Sequence, residues 1–281
     1  MIDTKKAVLV GCSDPLPRRE KEDVRALVPV LTSFGVDTAV SAFLLQDDPA
    51  SPQVKAAAVN NAFRDPDVDY VFDVSGGDLA NAVLPYLDFT AIRASKATFF
   101  GFSDLSVVLN AILAKTDRPA VNYQIRNLMY ENSFDQRSFF REKLLPGAYG
   151  AEDLTPRFLR GEAMRGRVFG GNIRCFLKLA GTPWWPDPDG GILLLESLGG
   201  NVYEMTTALE QLRQIGVFQK INGILLGTFT KMEQEKLSPT IEEIVLQMTP
   251  ADLPVAKTPF VGHYPNARPV TLGRELHFRR S

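Results

Sequence analysis

Cysteine and histidine are scarce in this chain, with two of each among 281 residues. Cys12 and Cys175 are too few for a disulfide framework and suit a reducing, cytoplasmic compartment. With only His263 and His277 and no clustered Cys/His spacing, the sequence argues against a zinc site, and no metal is expected. Any imidazole chemistry must come from one of these two residues. No apolar run approaches bilayer length, and Met1 to Lys6 leads straight into a strand pattern without an apolar leader, so no membrane association is expected. Neither Gly-x-Gly-x-x-Gly nor Gly-x-x-x-x-Gly-Lys-Ser/Thr occurs, which removes the usual phosphate cradles and with them the expectation of a cofactor. A net charge of −2 gives no electrostatic reason to expect nucleic acid.

What is present is an ordinary globular composition, 45% hydrophobic and 23% charged, on a chain long enough for one large or two modest cores. Short apolar runs alternate with amphipathic stretches. Lys6 to Cys12, Val36 to Leu44 and Tyr70 to Val74 read as strands, while Glu20 to Phe34, Pro52 to Phe63 and Leu79 to Leu84 read as helices. Ala120 to Tyr123 is a further short strand and Phe134 to Leu145 a helix. That alternation predicts a parallel, doubly wound sheet with function at the carboxyl ends of its strands. From Pro146 to Arg165 glycine, proline and mixed charges dominate, so the expected organisation is a domain over 1–145, a linker over 146–165 and a second domain over 166–281.

The most informative stretch of the first half is Ala97 to Lys115. Its aromatic start is a buried strand, and Leu105, Val108, Leu109, Ile112 and Leu113 recur at helical spacing. Gly101-Phe102-Ser103-Asp104 lies between them, so Ser103 sits on a sharp strand-to-helix turn. Such a turn lifts a hydroxyl to the top of a sheet with backbone N–H groups behind it. Leu105 stands where the usual motif has a second glycine, and a helix cap explains Ser103 equally well from this stretch alone. Gly76-Gly77 follows the preceding strand. It reads as a tight turn, or as an oxyanion hole if a nucleophile stands on the next strand.

The second half supplies partners for such a hydroxyl. Ile192 to Leu195 is a buried strand ending in Glu196, a costly place for an unpaired carboxylate. Val255 to Gly262 leads to His263, whereas His277 lies among charges on an alternating strand, Val270 to Phe278. Nucleophilic hydrolysis needs a hydroxyl, an imidazole and a carboxylate that fixes its tautomer. Singly, Ser103, Glu196 and His263 each have a bland reading as a cap, an ion-pair member and a loop histidine. Trp184-Trp185 lies in a proline-rich loop that reads as a packed lid or, alternatively, a surface for substrate.

Taken together, the motifs resemble the serine peptidase family of bacterial LD-carboxypeptidases and microcin C immunity peptidases. They are Gly76-Gly77, Leu84-Pro-Tyr-Leu-Asp88-Phe89, Gly101-Phe-Ser103-Asp104, Gly170-Gly171-Asn172, Leu193-Leu-Leu-Glu196, Gly216-Val-Phe with Ile221 to Gly227, and Gly262-His263-Tyr-Pro-Asn266. The resemblance implies a Ser103–Glu196–His263 triad split between two domains. It implies an oxyanion hole from Gly77 or Gly76 and the residue after the serine, Asp104. It also implies an α/β fold with a flavodoxin-like N-terminal domain, a smaller C-terminal β/α domain of swivelling-barrel topology, and a homodimer. The implied chemistry is release of a C-terminal D-amino acid from murein tetrapeptides during cell-wall recycling; the immunity branch instead cleaves aminoacyl-nucleotide amides.

Departures from the family pattern, Ser75-Gly-Gly-Asp-Leu79, Glu196-Ser197 and Gly11-Cys12-Ser13, leave every triad member in place and bear on substrate choice. Immunity-type members carry a lysine shortly after the glutamate, and Ser197 to Asn201 has no cation. The expected substrate is therefore a small peptide or muropeptide. A non-catalytic binding module on the same fold and a Cys12 nucleophile are the competing readings.

Overall fold

The computed structural model describes residues 4–130 and 133–280; Met1 to Asp3, at the start of the expected leaderless N-terminus, lie outside them. Twelve strands follow in chain order: β1 (Lys5–Val10), β2 (Val36–Val40), β3 (Tyr70–Asp73), β4 (Thr98–Gly101), β5 (Ala120–Asn122), β6 (Arg157–Arg160), β7 (Ala163–Asn172), β8 (Ile192–Ser197), β9 (Gly223–Phe229), β10 (Val255–Lys257), β11 (Val270–Leu272) and β12 (Glu275–Arg279). They form two six-stranded sheets, ordered β11-β5-β4-β3-β1-β2 and β12-β7-β8-β9-β10-β6. In the first, β2-β1-β3-β4-β5 is parallel throughout, the flavodoxin-like order expected for this half. In the second, β7 to β10 are parallel, with β6 and β12 antiparallel at the edges.

Four helices of the first half are α1 (Arg18–Ser33), α2 (Pro52–Arg64), α3 (Phe89–Ala94) and α4 (Ser106–Thr116). Ser51 caps α2 by accepting from the Val54 N–H, with Pro52 at the first helical position, where its missing donor costs nothing. Asp88 caps α3 through the Thr90 and Ala91 N–H groups. The helix that follows the serine turn, α4, is buried at every position from Ser106 to Leu113, as a helix apolar on all sides must be. It is wedged between the sheets. One continuous core joins Leu109 and Ile112 of α4 to Ile192, Leu193 and Leu225 of the second sheet. A separate core covers the opposite face of the first sheet, around Leu9, Phe72 and Tyr123. The two halves thus share apolar packing, which holds the strand ends of both sheets toward each other. Strands β8 and β9 are buried at every residue, consistent with their nearly unbroken apolar sequences.

Four local expectations change, the first being that Val36 to Leu44 is strand only as far as Val40 and turns into a 3-10 segment, Ala42–Leu45. Val270 to Phe278 is not one strand: β11 pairs antiparallel with β5 of the first sheet and β12 with β7 of the second, the break falling at Gly273 (φ 82°). Period-two alternation runs through both pieces and carries no signal of the change of partner. The 146–165 stretch holds β6 and the start of β7, concealed by its glycines and charges. Leu79 to Leu84 is a 3-10 segment, Ala80–Tyr86, with Pro85 inside it. No helix of the described residues is long and apolar enough to cross a membrane.

Candidate active site

The carboxyl ends of the strands do converge. Ser103 follows β4 in a backbone conformation with φ 59°, left-handed for a residue with a Cβ, at a cost of roughly 1–3 kcal/mol. Packing of β4 and of buried α4 on either side holds it there. Glu196 lies near the end of β8 and its side chain is only 1% exposed. His263 stands on the loop after β10 and bridges the two. Its Nδ1 lies 2.8 Å from Glu196 Oε2 and its Nε2 3.1 Å from Ser103 Oγ. The Phe102 ring packs on the imidazole with centroids 4.6 Å apart. The structure therefore brings together one residue from the first sheet and two from the second, over sequence separations of 160 and 67 residues. His277 is exposed on β12, accepting a hydrogen bond from Arg279.

A carboxylate hydrogen-bonded to one imidazole nitrogen fixes which nitrogen carries the proton, and so leaves the other free to accept one from a hydroxyl. Glu196 Oε1 is buried and has no partner. Its charge is thus available to the imidazole and is not spread over competing donors.

The glycine turn lies beside the serine. Gly77 has φ 128°, and a Cβ there would come within 2.2 Å of Asp14 Cγ, so no other residue fits. Gly76 has open space in the same position. Asp14 Oδ1 takes the N–H groups of Asp78 and Leu79, which withdraws them from any other role. The Gly76, Gly77 and Asp104 N–H groups, the expected oxyanion donors, are not among those that Asp14 takes. The Asp104 side chain has a task that sequence reading missed. Fully buried, it accepts from Ser13 Oγ (2.6 Å), the Ala80 N–H (2.8 Å) and Lys178 Nζ (2.6 Å). Lys178 and Arg174 reach over from the segment after β7 to Asp104 and Asp78, tying the second half to the glycine turn.

Gly170-Gly171-Asn172 serves the same junction. Asn110 of α4 accepts from the Gly170 N–H and donates to its carbonyl, and Ser106 Oγ accepts from the Asn172 N–H. Ser106 and Asn110 share one helical face, four residues apart, a pattern lost within an otherwise apolar stretch.

These groups open on a cleft of about 480 Å³ lined by, among others, Ser103, His263, Gly77, Phe102, Tyr130 and Leu198. Arg126 and Glu20, absent from any motif, also line it and pair at 2.8 Å. Trp184 and Trp185 do not line it. Trp185 stacks on Phe176 with centroids 4.4 Å apart, and both tryptophans pack on the shared core. Cys12 is fully buried, and burial pushes its thiol well above the usual range, with Asp73 adding to the effect. It is held as the thiol, which is not the nucleophilic form. No group of three or more His, Cys, Asp or Glu among the described residues is disposed to hold a metal ion.

Comparison with known proteins agrees with this architecture. Residues 8–123 match the LD-carboxypeptidase N-terminal domain and residues 165–278 the LD-carboxypeptidase C-terminal domain. The chain is 26% identical to the microcin C7 self-immunity protein MccF of Escherichia coli over 62% of its own length and 60% of that protein's. It is 28% identical to the murein tetrapeptide carboxypeptidase of Pseudomonas aeruginosa over 66% of its length and 64% of that protein's. Both alignments thus span less than two thirds of the relative. In fold, it superposes on MccF in complex with glutamyl sulfamoyl guanosine with a TM-score of 0.86 at 19% identity, covering 99% of this chain and 94% of the other. Against muramoyltetrapeptide carboxypeptidase from Oxalobacter formigenes the TM-score is 0.80 at 21% identity, covering 99% and 96%.

Proposed function

The chain belongs to the LD-carboxypeptidase family, and from that premise we propose that it is a serine-type carboxypeptidase releasing the C-terminal D-amino acid of a murein tetrapeptide. The observation that carries the reading is the unbroken relay from Glu196 through His263 to Ser103, with contacts of 2.8 and 3.1 Å, opening on one cleft. In this mechanism Ser103 Oγ attacks the scissile carbonyl carbon while His263 Nε2 takes its proton. Glu196 stabilises the imidazolium that forms. The oxyanion is received by the Gly77 and Asp104 N–H groups, preorganised donors of the kind worth about 3–4 kcal/mol each in the transition state. The C–N bond then breaks, and His263 returns the proton to the leaving amine. Water, deprotonated by the same imidazole, cleaves the acyl ester and restores the serine.

Two features favour a peptide over an aminoacyl-nucleotide conjugate. The 197–201 stretch after Glu196 carries no cation. The tryptophan loop is committed to Phe176 and offers no stacking platform in the cleft. Two free, buried cysteines suit a reducing compartment, so the reading places the activity in the cytoplasm, in cell-wall recycling. Incubating the protein with a murein tetrapeptide and, separately, an aminoacyl sulfamoyl adenosine tests it. Release of D-alanine is expected. Cleavage of the nucleotide conjugate without D-alanine release overturns the substrate assignment.

A further inference from the structure

Arg126 stands on the 3-10 segment Ile125–Met129, just after β5, and lines the cleft that holds Ser103 and His263. It is the single lysine or arginine among the described residues lining that cleft. Its side chain is 8% exposed, and Nη1 forms an ion pair with Glu20 Oε2 at 2.8 Å. Nε is buried and has no partner, and Glu20 is the one ion-pair partner of the guanidinium among the described residues. A guanidinium offers five N–H donors in a planar fork. Holding one buried with a single acidic partner on one nitrogen leaves a desolvated donor edge unmatched, which is costly unless a ligand completes it. An arginine serving only to anchor α1 to this segment would have no reason to leave that edge open. Glu20 itself is about one third exposed and lines the same cleft.

We propose that Arg126 is the anion anchor of this cleft and receives the C-terminal carboxylate of the residue to be released. The assignment of that carboxylate rests on the carboxypeptidase reading above. The planar fork matches a carboxylate through two parallel hydrogen bonds, the strong and directional form of the interaction. It supplies the positive charge that the 197–201 stretch lacks, from a different element of the fold. Arg126 is thereby a binding and specificity residue: it selects substrates with a free terminus, and Glu20 limits how strongly it does so by sharing the guanidinium.

Calorimetric binding to the Ser103→Ala protein separates this claim from the catalytic one, because it needs no turnover. The probes are a murein tetrapeptide with a free C-terminal carboxylate, the same peptide as its C-terminal carboxamide, and adenosine 5′-monophosphate. The free acid is expected to bind about 10- to 100-fold more tightly than the amide, the range of a charged hydrogen-bonded contact. Arg126→Gln should abolish that difference by weakening the acid alone. Equal binding of acid and amide, or a preference that survives Arg126→Gln, overturns the anchor. Tighter, Arg126-dependent binding of the nucleotide monophosphate than of the acid overturns the carboxylate assignment. If Arg126→Gln does not fold, Glu20→Gln decides, since it frees the guanidinium and should widen the acid preference; an unchanged ratio contradicts the proposal. D-alanine release by the wild-type protein is measured alongside. Arg126-dependent binding without hydrolysis sinks the catalytic reading and keeps the anchor, whereas hydrolysis without acid preference does the reverse.

Discussion

The buried carboxylates on the two sides of the site are treated in opposite ways. On the first sheet, Asp104 accepts three hydrogen bonds, from Ser13, Ala80 and Lys178. Asp73, beneath the glycine turn, likewise accepts from the Cys12 N–H and from both the N–H and hydroxyl of Ser75. On the second sheet, Glu196 has a single partner, His263, and its other oxygen is buried and bare. Carboxylates with both oxygens engaged act as architecture; they fix loops and have little left to give. One held dry with a lone imidazole contact keeps most of its field for the charge that develops on that imidazole. The Ser103 side of the cleft is thus built for position, and the His263 side for electrostatics.

Exchanging Glu196 and Asp104 for their amides is the sharpest way to break this comparison. Glu196→Gln should lower kcat by about 10⁴-fold, the scale seen when the orienting carboxylate of a triad becomes an amide, while the melting temperature stays near that of the wild type. Asp104→Asn should do the opposite. It leaves Lys178 without its buried partner and costs about 3–5 kcal/mol of stability, with the folded fraction retaining most of its turnover per molecule. Denaturant titrations and steady-state kinetics on both variants check the pair. Matched losses of stability and of kcat in the two would erase the distinction.

The glycine pairs offer the same contrast at smaller scale. At Gly171 the φ is 129° and a Cβ would sit 2.4 Å from Ser106 Oγ, whereas at Gly76 nothing lies within 4 Å. Gly171→Ala combines backbone strain with overpacking and should cost about 2–4 kcal/mol. Gly76→Ala should change stability by less than about 0.5 kcal/mol, as for an unencumbered surface site. Chemical denaturation of the two variants distinguishes a junction built on close approach from a turn position that merely tolerates glycine.

A different kind of effect is one of pH. Burial pushes the Cys175 thiol from 9.0 up to about 12 and raises Cys12 as well. In the unfolded chain both thiols ionise near their ordinary value, while the folded protein keeps them protonated. The stability they leave intact below pH 9 is therefore lost as pH climbs from there toward 12, by about 1.4 kcal/mol per pH unit for each thiol. Urea titrations at pH 8 and pH 10.5 should show this fall, and Cys175→Ala should remove about half of the thiol contribution. A slope identical in the variant would mean that the thiol ionises freely in the folded state.

Much of this was legible in the sequence because it is local. A strand, a turn and a helix within Ala97 to Lys115 are enough to put Ser103 on an elbow, and a carboxylate directly after four apolar residues marks Glu196. The contacts that close the site are of another kind. Lys178 and Asp104 meet across 74 residues, and Asn110 meets Gly170 across 60; the topology makes these neighbours, and neither member carries a periodic signal. Arg126 lies in a short 3-10 segment outside every motif, so its burial beside the cleft follows only from how β5 ends against α1. The split of 270–279 between two sheets was hidden for a related reason: alternation reports a face, not a partner.

The central proposal is that Ser103 is the nucleophile, acylated and then released at each turnover. It is tested most directly by the rate of D-alanine release from a murein tetrapeptide by the wild-type and Ser103→Ala proteins, with their melting curves recorded in parallel. The account predicts superimposable melting and a loss in kcat on the order of a million-fold, since removing a nucleophile that acts as a unit with its base leaves only background binding effects. A Ser103→Ala protein that melts like the wild type and still releases D-alanine within about tenfold of its rate would contradict it.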